Sequence, residues 1–372
     1  MPILSRPTLP PVALLLCLIT VGCEKPAPRP ETPQPETEIT IGASDPDEAV
    51  AAIKDAGLDV KKDASGLITE VSFRGHDVTD EALAALPQLS QLQSLLFNET
   101  SITDDQLKHL SGLQSLRNLD LRECGISNAG LDHLKGLTSL KALRFSGKNG
   151  ACTVDDGGMA TIAGLTGLKA LALDFLWISE DGLGELKGCT NLEELYLAKT
   201  LMGDDSLAVL QQFPKLKKVR LSQTQVSSTG LEHLTKVPTL EDLDLSENSQ
   251  IDDSGMAFVG QLTALKRLNL WRVPLTDTGV AHLAPLVNLE WLNLDNTQLS
   301  DNGLDALQGM TKLSFLHLGS TSVSDAGLPK LHPLKALKDL KVTRTAVSQA
   351  GVDELKKALP NTDIQLEYIV AE

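Results

Sequence analysis

The sequence predicts an α/β solenoid in which a parallel β-sheet lines the concave face and short helices line the convex face. One observation is that similar units recur along the chain in steps of 24 residues, except for one step of 28 and one of 25. Another is that the apolar spacing inside each unit changes from a period of two to a helical one. Stacked units of this kind bury a continuous core that no single unit can form. The first apolar position of the twelve units is occupied by Ile68, Leu92, Leu116, Leu140, Leu168, Leu192, Leu216, Leu240, Leu265, Leu289, Leu313 and Leu337.

The unit from Leu289 to Lys312 shows how each repeat is built. Leu292 and Leu294 alternate with polar or open-face positions, which predicts a strand with one buried face. Ser300 then has the chemistry of a helix N-cap, because its hydroxyl can accept a free backbone N–H. Apolar residues follow at helical spacing, at Leu304, Leu307 and Met310. Each unit is therefore predicted to be a strand, a turn and a short helix.

Three segments carry the most regular form of the repeat: TSITDDQLKHL at 100–110, TQLSDNGLDAL at 297–307 and TSVSDAGLPKL at 321–331. This pattern resembles leucine-rich repeats, and more narrowly the class with the signature I-T/S-D-x-G-L-x-x-L. That class is found in bacterial envelope repeat proteins, in F-box repeat proteins and, more distantly, in ribonuclease inhibitor. The resemblance covers residues 68–366 and implies a leucine-rich-repeat solenoid, or horseshoe, of about twelve repeats at 68–362.

The N-terminus predicts export and lipid attachment. Arg6 precedes an apolar run from Val12 to Val21, which is too short for a permanent membrane span and is typical of a secretory signal. Residues 19–23, ITVGC, resemble the cleavage box of bacterial lipoproteins, although Thr20 stands where leucine is commoner. We expect a signal peptide at 1–22 and lipid on Cys23. Ordinary signal cleavage that leaves Cys23 as a free thiol is the alternative.

The segments that flank the repeats are predicted to be a tether and two caps. Residues 23–43 are rich in proline and acidic residues, a composition that favours an extended disordered spacer. Residues 44–67 are predicted to form an N-terminal cap, with a helix opened by Ser44 or Asp45 and Pro46, and then a hairpin. Residues 363–372 are predicted to form a C-terminal strand that ends the sheet.

Composition and charge argue against several classes of function. The 372-residue chain has a formal net charge of −16 and no basic stripe, which disfavours a nucleic-acid partner. We find no phosphate-binding loop, no zinc spacing and no triad of catalytic residues, so we expect no enzyme, no metal and no cofactor. Cys124, Cys152 and Cys189 are expected to be packing thiols. Four histidines share one helix position and are expected to be solvated: His109, His133, His233 and His282.

Two candidate interaction surfaces follow from the repeat register. Residues 147–158, GKNGACTVDDGG, are inserted between the strand and the helix of the fourth repeat, and the next turn contains Phe175, Leu176 and Trp177. A docking patch is one interpretation of these apolar residues. We prefer the alternative, in which the insertion folds back over them.

The preferred site lies on the concave face near the C-terminal end. It contains an unusual share of the aromatic residues in a chain that is only 3% aromatic. Exposed aromatic groups that lie together often mark an interaction site, although Trp291 and Phe315 can also simply stack with Arg267 above them. The candidate residues are Arg267, Asn269, Trp271, Trp291, Asn293, Asp295, Phe315 and His317.

The sequence therefore predicts a monomeric, non-enzymatic protein-binding scaffold that is lipid-anchored at a bacterial cell envelope. Only the N-terminal lipid is expected to contact the membrane, and Glu24 after Cys23 favours the outer membrane or cell surface by analogy. A glycan- or cell-wall-binding structural protein, with Trp271 and Trp291 as sugar platforms, is the alternative.

Overall fold

A computed structural model describes residues 44–367, and these residues form one continuous fourteen-stranded sheet. The strands follow one another in chain order, and every pair is parallel except the first, which is antiparallel. The predicted fold class and the strand of each of the twelve repeats are confirmed. The strands are β1 Asp59–Lys62, β2 Ile68–Ser72, β3 Ser94–Leu96, β4 Asn118–Arg122, β5 Ala142–Ser146, β6 Ala170–Asp174, β7 Glu194–Tyr196, β8 Lys218–Arg220, β9 Asp242–Asp244, β10 Arg267–Asn269, β11 Trp291–Asn293, β12 Phe315–His317, β13 Asp339–Lys341 and β14 Asp363–Gln365.

Short helices return the chain from one strand to the next. Many are too short to sustain α-helical hydrogen bonding throughout, so the returning segments contain both α-helical and 3-10 turns. The α-helices are α1 Asp47–Asp55, α2 Asp80–Ala85, α3 Asn128–Leu131, α4 Asp156–Ala163, α5 Glu180–Glu185, α6 Asp204–Val209, α7 Met256–Val259, α8 Asp277–Ala281 and α9 Gln349–Ala358. The 3-10 helices are Leu86–Gln88, Asp105–Leu110, Asp132–Leu134, Leu186–Gly188, Leu210–Gln212, Gly230–Lys236, Asp253–Gly255, Asp301–Leu307 and Leu328–Leu331. Within residues 44–367, no helix combines the length and apolar character needed to cross a membrane.

The core consists of leucine columns that run through the stacked repeats. Leu268, Leu292 and Leu316 occupy matching positions on β10, β11 and β12, and each is fully buried. Leu294 and Leu304 are also fully buried. The apolar spacing assigned Leu294 to the strand side of the core and Leu304 to the helix side. Burial of these side chains from both neighbouring repeats is the main source of stability.

The N-terminal cap agrees with the predicted helix and hairpin but differs in how the helix begins. α1 starts after Pro46, which makes no side-chain cap, and Asp45 does not cap the helix. Instead, Asp45 is buried and its Oδ2 accepts the backbone N–H of Ile68 at 2.6 Å. The carboxylate therefore ties the cap to the first repeat strand, a contact between residues far apart in the sequence. The helix ends at Asp55, and Gly57, two residues further on, has a φ of +70°, the left-handed conformation that suits a glycine just past a helix end.

A ladder of aspartate side chains joins the helix starts of neighbouring repeats and explains the repeat signature. The carboxylate of Asp204 accepts the backbone N–H of Ser227 at 2.7 Å and its hydroxyl at 2.6 Å, one repeat further on. The glycine of the next repeat, Gly230, lies against the same carboxylate, where a Cβ would be 2.3 Å from Oδ1. Such aspartates stand at helix starts, where the helix dipole favours a carboxylate, and they also bond the next repeat. The same aspartate-to-Ser/Thr bonds are made from Asp104, Asp156, Asp253, Asp277, Asp301 and Asp325.

The 147–158 insertion bonds to the repeats on both sides, and it covers only part of the apolar turn that our preferred interpretation placed beneath it. Asn149 donates its side-chain amide to the carbonyl of Glu123 at 2.8 Å, and Thr153 donates its backbone N–H to Ile126 at 2.9 Å. Cys152 is buried. On the other side, Asp155 pairs with the backbone of Trp177, and Gly147 lies against the carbonyl oxygen of Phe175. Leu176 is buried, but the side chain of Trp177 stays 73% exposed.

The predicted signal peptide, Cys23 and the tether lie outside the described residues, as do residues 368–372 of the predicted C-terminal strand. The described part of that strand, β14, pairs with β13 in parallel and continues the sheet by one rung, as the sequence indicated.

Candidate functional site

The open face of the sheet, which is the strand face opposite the leucine core, carries a stack of four side chains across β10 to β13. The Trp291 and Phe315 rings are parallel to within 5°, with centroids 4.9 Å apart. The Arg267 guanidinium lies 4.4 Å from the centroid of the Trp291 ring. On the other end, the Lys341 ammonium lies 5.7 Å from the centroid of the Phe315 ring. We call Arg267, Trp291, Phe315 and Lys341 the aromatic stack.

The aromatic stack forms because matching positions of parallel strands project to the same side one strand spacing apart. Arg267 pairs in register with Trp291, and Trp291 with Phe315. Since β10 and β12 lie on opposite sides of β11, Arg267 and Phe315 cover opposite faces of the indole. Trp291 and Phe315 are consequently half-buried, whereas the sequence led us to expect them exposed. Offset stacking and cation–π contacts of this kind stabilise the folded state.

A row of polar residues borders the aromatic stack two positions further along each strand. Asn269 and Asn293 use their side-chain oxygens to accept the backbone N–H two residues on, at 3.2 Å from Trp271 and 2.9 Å from Asp295. This bond shapes the turn that leaves the strand. Trp271 is half-buried, and the Arg272 guanidinium lies 4.6 Å from its ring centroid.

His317 and Asp295 complete the candidate site, as the register indicated. Their closest side-chain nitrogen and oxygen are 4.0 Å apart. Burial lowers the pKa of His317 below its usual value; Lys341 acts in the same direction, while Asp295 opposes it. His317 is therefore a neutral ring at pH 7, and no serine or cysteine nucleophile among the described residues is bonded to it.

The charges nearer the middle of the open face largely satisfy one another. Lys218 pairs with Asp242 at 3.1 Å, and Arg220 reaches Asp174 at 3.2 Å and Asp244 at 3.6 Å. The Lys218–Asp242 and Arg220–Asp244 pairs thus join matching positions of β8 and β9. Burial raises the pKa of Asp174 above its usual value, and Arg220 and the backbone N–H of Ala198 oppose that rise. Such paired charges leave the aromatic stack as the more distinctive feature of this face.

A second surface lies in the turns that follow β6 and β7. Here Lys148, Phe175, Trp177, Lys199 and Leu201 line an open cleft of about 350 Å³, which we call the turn cleft. Trp177 is 73% exposed and Leu201 38% exposed. The sequence drew attention to these apolar residues, but it did not reveal that the insertion would leave them uncovered.

Histidines and cysteines show no reactive arrangement among residues 44–367. No group of three or more metal-binding side chains in that range is placed to hold an ion. Burial raises the pKa of Cys152 and of Cys189 to about 11, so both thiols are protonated and poorly nucleophilic at pH 7. His109, His133 and His233 are half-buried where we expected solvated rings, because helices of neighbouring repeats lie in contact; only His282 is exposed.

Comparisons with known proteins identify the repeat. The family model described as "Leucine Rich repeat" matches residues 112–134 and 238–260. An internalin from Listeria monocytogenes aligns with a TM-score of 0.57 at 18% identity, covering 87% of this chain and 94% of that one. A leucine-rich-repeat protein from Leptospira interrogans aligns with a TM-score of 0.51 at 18% identity, covering 78% of this chain and 81% of that one. No curated protein matches the sequence.

The chain therefore has the leucine-rich-repeat fold, with a mostly parallel open sheet and short return helices. At 18% identity, the two solved structures bear on the fold alone. The fold is a scaffold consistent with binding a protein, and its candidate surfaces are the aromatic stack with its polar border and the turn cleft.

Proposed function

We propose that this protein is a non-enzymatic scaffold that binds a protein partner through the open face of its sheet. The aromatic stack is the observation that carries this proposal. It presents the edges of Trp291 and Phe315 between two cations, and tryptophan and arginine are enriched among residues that dominate binding energy. Because the four side chains are already held by one another, a partner would immobilise little further side-chain freedom on docking.

The geometry favours a protein over a glycan as the ligand of this face. A sugar stacks on the open face of an aromatic ring, but Trp291 has Arg267 on one face and Phe315 on the other. Trp271 also has a guanidinium over its ring. The amide groups of Asn269 and Asn293 still suit hydrogen bonding to sugar hydroxyls, so a glycan remains the second candidate. A screen of the protein against cell-envelope extract and a polysaccharide panel separates the two.

Replacing Trp291 with alanine is expected to weaken partner binding by about 2 kcal/mol or more, as for a residue at the centre of an interface. It is also expected to reduce stability by about 1–2 kcal/mol, because the Phe315 stack and the Arg267 contact are both lost. Calorimetric titration with the captured partner measures the first effect, and urea unfolding measures the second. A Trp291→Ala variant that is less stable yet binds normally would show that the aromatic stack serves the fold alone.

Trp291→Phe is the matched variant for this experiment. A phenylalanine ring keeps the stack with Phe315 and the contact with Arg267, while the indole N–H and part of the ring edge are removed. We therefore expect stability close to that of the wild type and a clear loss of affinity. Asp120 on β4 is unsuitable as a distant control for this experiment, because it is buried and bonded to Arg122.

We further propose that the protein is exported and held at the outer membrane or cell surface by lipid on Cys23. The support is the sequence itself: a short apolar signal, the ITVGC box and the proline-rich tether that follows it. The tether would hold the repeats away from the membrane so that the open face can reach a partner.

Cys23→Ser is expected to abolish retention in the membrane fraction, because the thiol that receives the lipid is gone. Intact mass measurement of the wild type should find a chain that begins at Cys23 and carries diacylglyceryl or a further acyl chain. Membrane fractionation of both forms provides the comparison. An unmodified N-terminus at another residue in the wild type would exclude the lipoprotein assignment.

A further inference from the structure

We propose that the turn cleft is a second binding site, which takes a linear peptide segment with an aromatic or large aliphatic side chain next to aspartate or glutamate residues. This site is separate from the open face and does not depend on the role proposed for the aromatic stack.

Exposed apolar groups are concentrated at the turn cleft. Only four large hydrophobic side chains in the described range 44–367 are exposed, and two of them, Trp177 and Leu201, line this cleft. The other two, Val60 and Val287, are not among its lining residues. The Trp177 indole is 73% exposed and lies beside an exposed leucine. Their apolar surface is removed from water only when another molecule covers it.

The backbone conformation at Phe175 is a second, independent observation at this turn that the stability of the fold does not explain. Each repeat turn passes through a left-handed residue, and Phe175 has a φ of +62° there. In the described chain, the nine other non-glycine residues with positive φ are all polar or charged: Glu99, Glu123, Lys199, Gln223, Glu247, Arg272, Asn296, Ser320 and Arg344. A bulky apolar residue is an outlier in this conformation. Its ring lines the turn cleft beneath the ammonium of Lys199, which is 5.5 Å from its centroid.

The charge of the turn cleft identifies the kind of peptide. Lys148 and Lys199 are exposed, and neither makes an ion pair with any described residue. Many of the bases on the open face are paired with acids, and the chain as a whole has a net charge of −16. Two unpaired ammonium groups beside an apolar surface therefore complement carboxylates that flank an apolar side chain.

The backbone around the turn cleft indicates recognition through side chains. The N–H of Lys199 already donates to Ser222, and the N–H of Leu201 to Ile178. The Thr200 hydroxyl donates to the Leu197 carbonyl. These groups are not free to pair with an added strand, so an apolar anchor and flanking charges must provide the affinity. The volume of about 350 Å³ suits one large side chain and its neighbours.

The insertion forms one wall of the turn cleft and keeps it open. At Gly147 a Cβ would lie 2.3 Å from the carbonyl oxygen of Phe175, so this close approach requires glycine. Beyond it the loop bonds to the preceding repeat at Glu123 and Ile126. The cleft is thus preformed in the folded chain.

The test is fluorescence anisotropy with three labelled peptides that share a central phenylalanine, flanked by aspartate and glutamate, by asparagine and glutamine, or by lysine and arginine. The full chain should bind the acidic peptide most tightly, and higher salt should weaken that binding. Trp177→Ala should weaken it about tenfold, as expected for a central apolar anchor. Because Trp177 is largely exposed, this variant should melt like the wild type.

Lys199→Ala should weaken binding of the acidic peptide several-fold and leave binding of the neutral peptide unchanged. Lys312→Ala is the matched control, since it removes the same charge from an exposed lysine that contacts only Asn288 among the described side chains. It should alter neither affinity. Equal binding of the three peptides, unchanged affinity in Trp177→Ala, or binding of a neutral oligosaccharide in place of the peptides would each overturn the proposal.

Discussion

Leu292→Ala is expected to lower the free energy of unfolding by about 2–5 kcal/mol, the range for truncating a leucine in a packed core. Leu292 is fully buried and lies in register between Leu268 and Leu316. Removing its branched end leaves a cavity between three consecutive repeats, and rigid neighbours can fill that cavity only in part. The variant should also expose the adjacent strands more often, because the loss falls on contacts between neighbouring repeats.

Urea unfolding followed by circular dichroism measures the loss, and hydrogen exchange locates it at β10 to β12. Leu201→Ala is the matched control, since the same side chain is shortened at a position that is 38% exposed. It should change stability by less than about 1 kcal/mol. A similar loss in both variants would mean that the leucine columns do not carry the stability of the solenoid.

Gly230→Ala is expected to destabilise the protein by about 1–3 kcal/mol, although alanine is normally the better helix former. An added Cβ would lie 2.3 Å from Oδ1 of Asp204 and 2.9 Å from its Cα. The carboxylate cannot move aside without losing its bonds to Ser227 and Thr229. Burial alone would raise the pKa of Asp204, but these hydrogen bonds hold it below its usual value, so the folded state stabilises the charged carboxylate.

Gly184→Ala serves as the control for helix propensity. Gly184 lies in α5 with no atom within 4 Å of an added Cβ, so this change should stabilise the protein by up to about 1 kcal/mol. In an Asp204→Ala background, Gly230→Ala should lose much of its effect, since the clashing carboxylate is gone. Additive losses in the double variant would contradict an aspartate–glycine ladder between repeats.

Much of the candidate site could be read from register alone. The columns that contain Arg267, Trp291 and Phe315, and those that contain Asn269 and Asn293, lie side by side as the repeat spacing implied. Register fixes which residues are neighbours, but it does not fix how their side chains meet. The parallel stack that covers both faces of Trp291 emerged only in three dimensions, and it weakens the case for a sugar platform.

The sequence predicted the contacts of the aromatic stack better than those of the turn cleft. For the aromatic stack, both interpretations were available, and the contacts of the stacking interpretation are present; whether these residues also bind a partner stays a prediction. For the turn cleft, the preferred interpretation holds only in part, because Leu176 is buried beside Gly147 whereas the side chain of Trp177 is left exposed. The direction of a loop depends on the backbone groups with which the loop forms hydrogen bonds, and these partners cannot be read from the sequence.

The sequence by itself determined the fold class, the number of repeats and the register of the repeat strands. A 24-residue period with leucines at fixed places is local information that is repeated many times, so each unit reinforces the same solution. The tertiary structure alone decided that Asp45 binds the first repeat strand, that Asp204 bonds the next repeat against Gly230, and that Trp177 is left exposed. Each of these depends on the direction of a side chain or loop toward a neighbour 20 or more residues away, which is set by packing and hydrogen bonding in the folded chain.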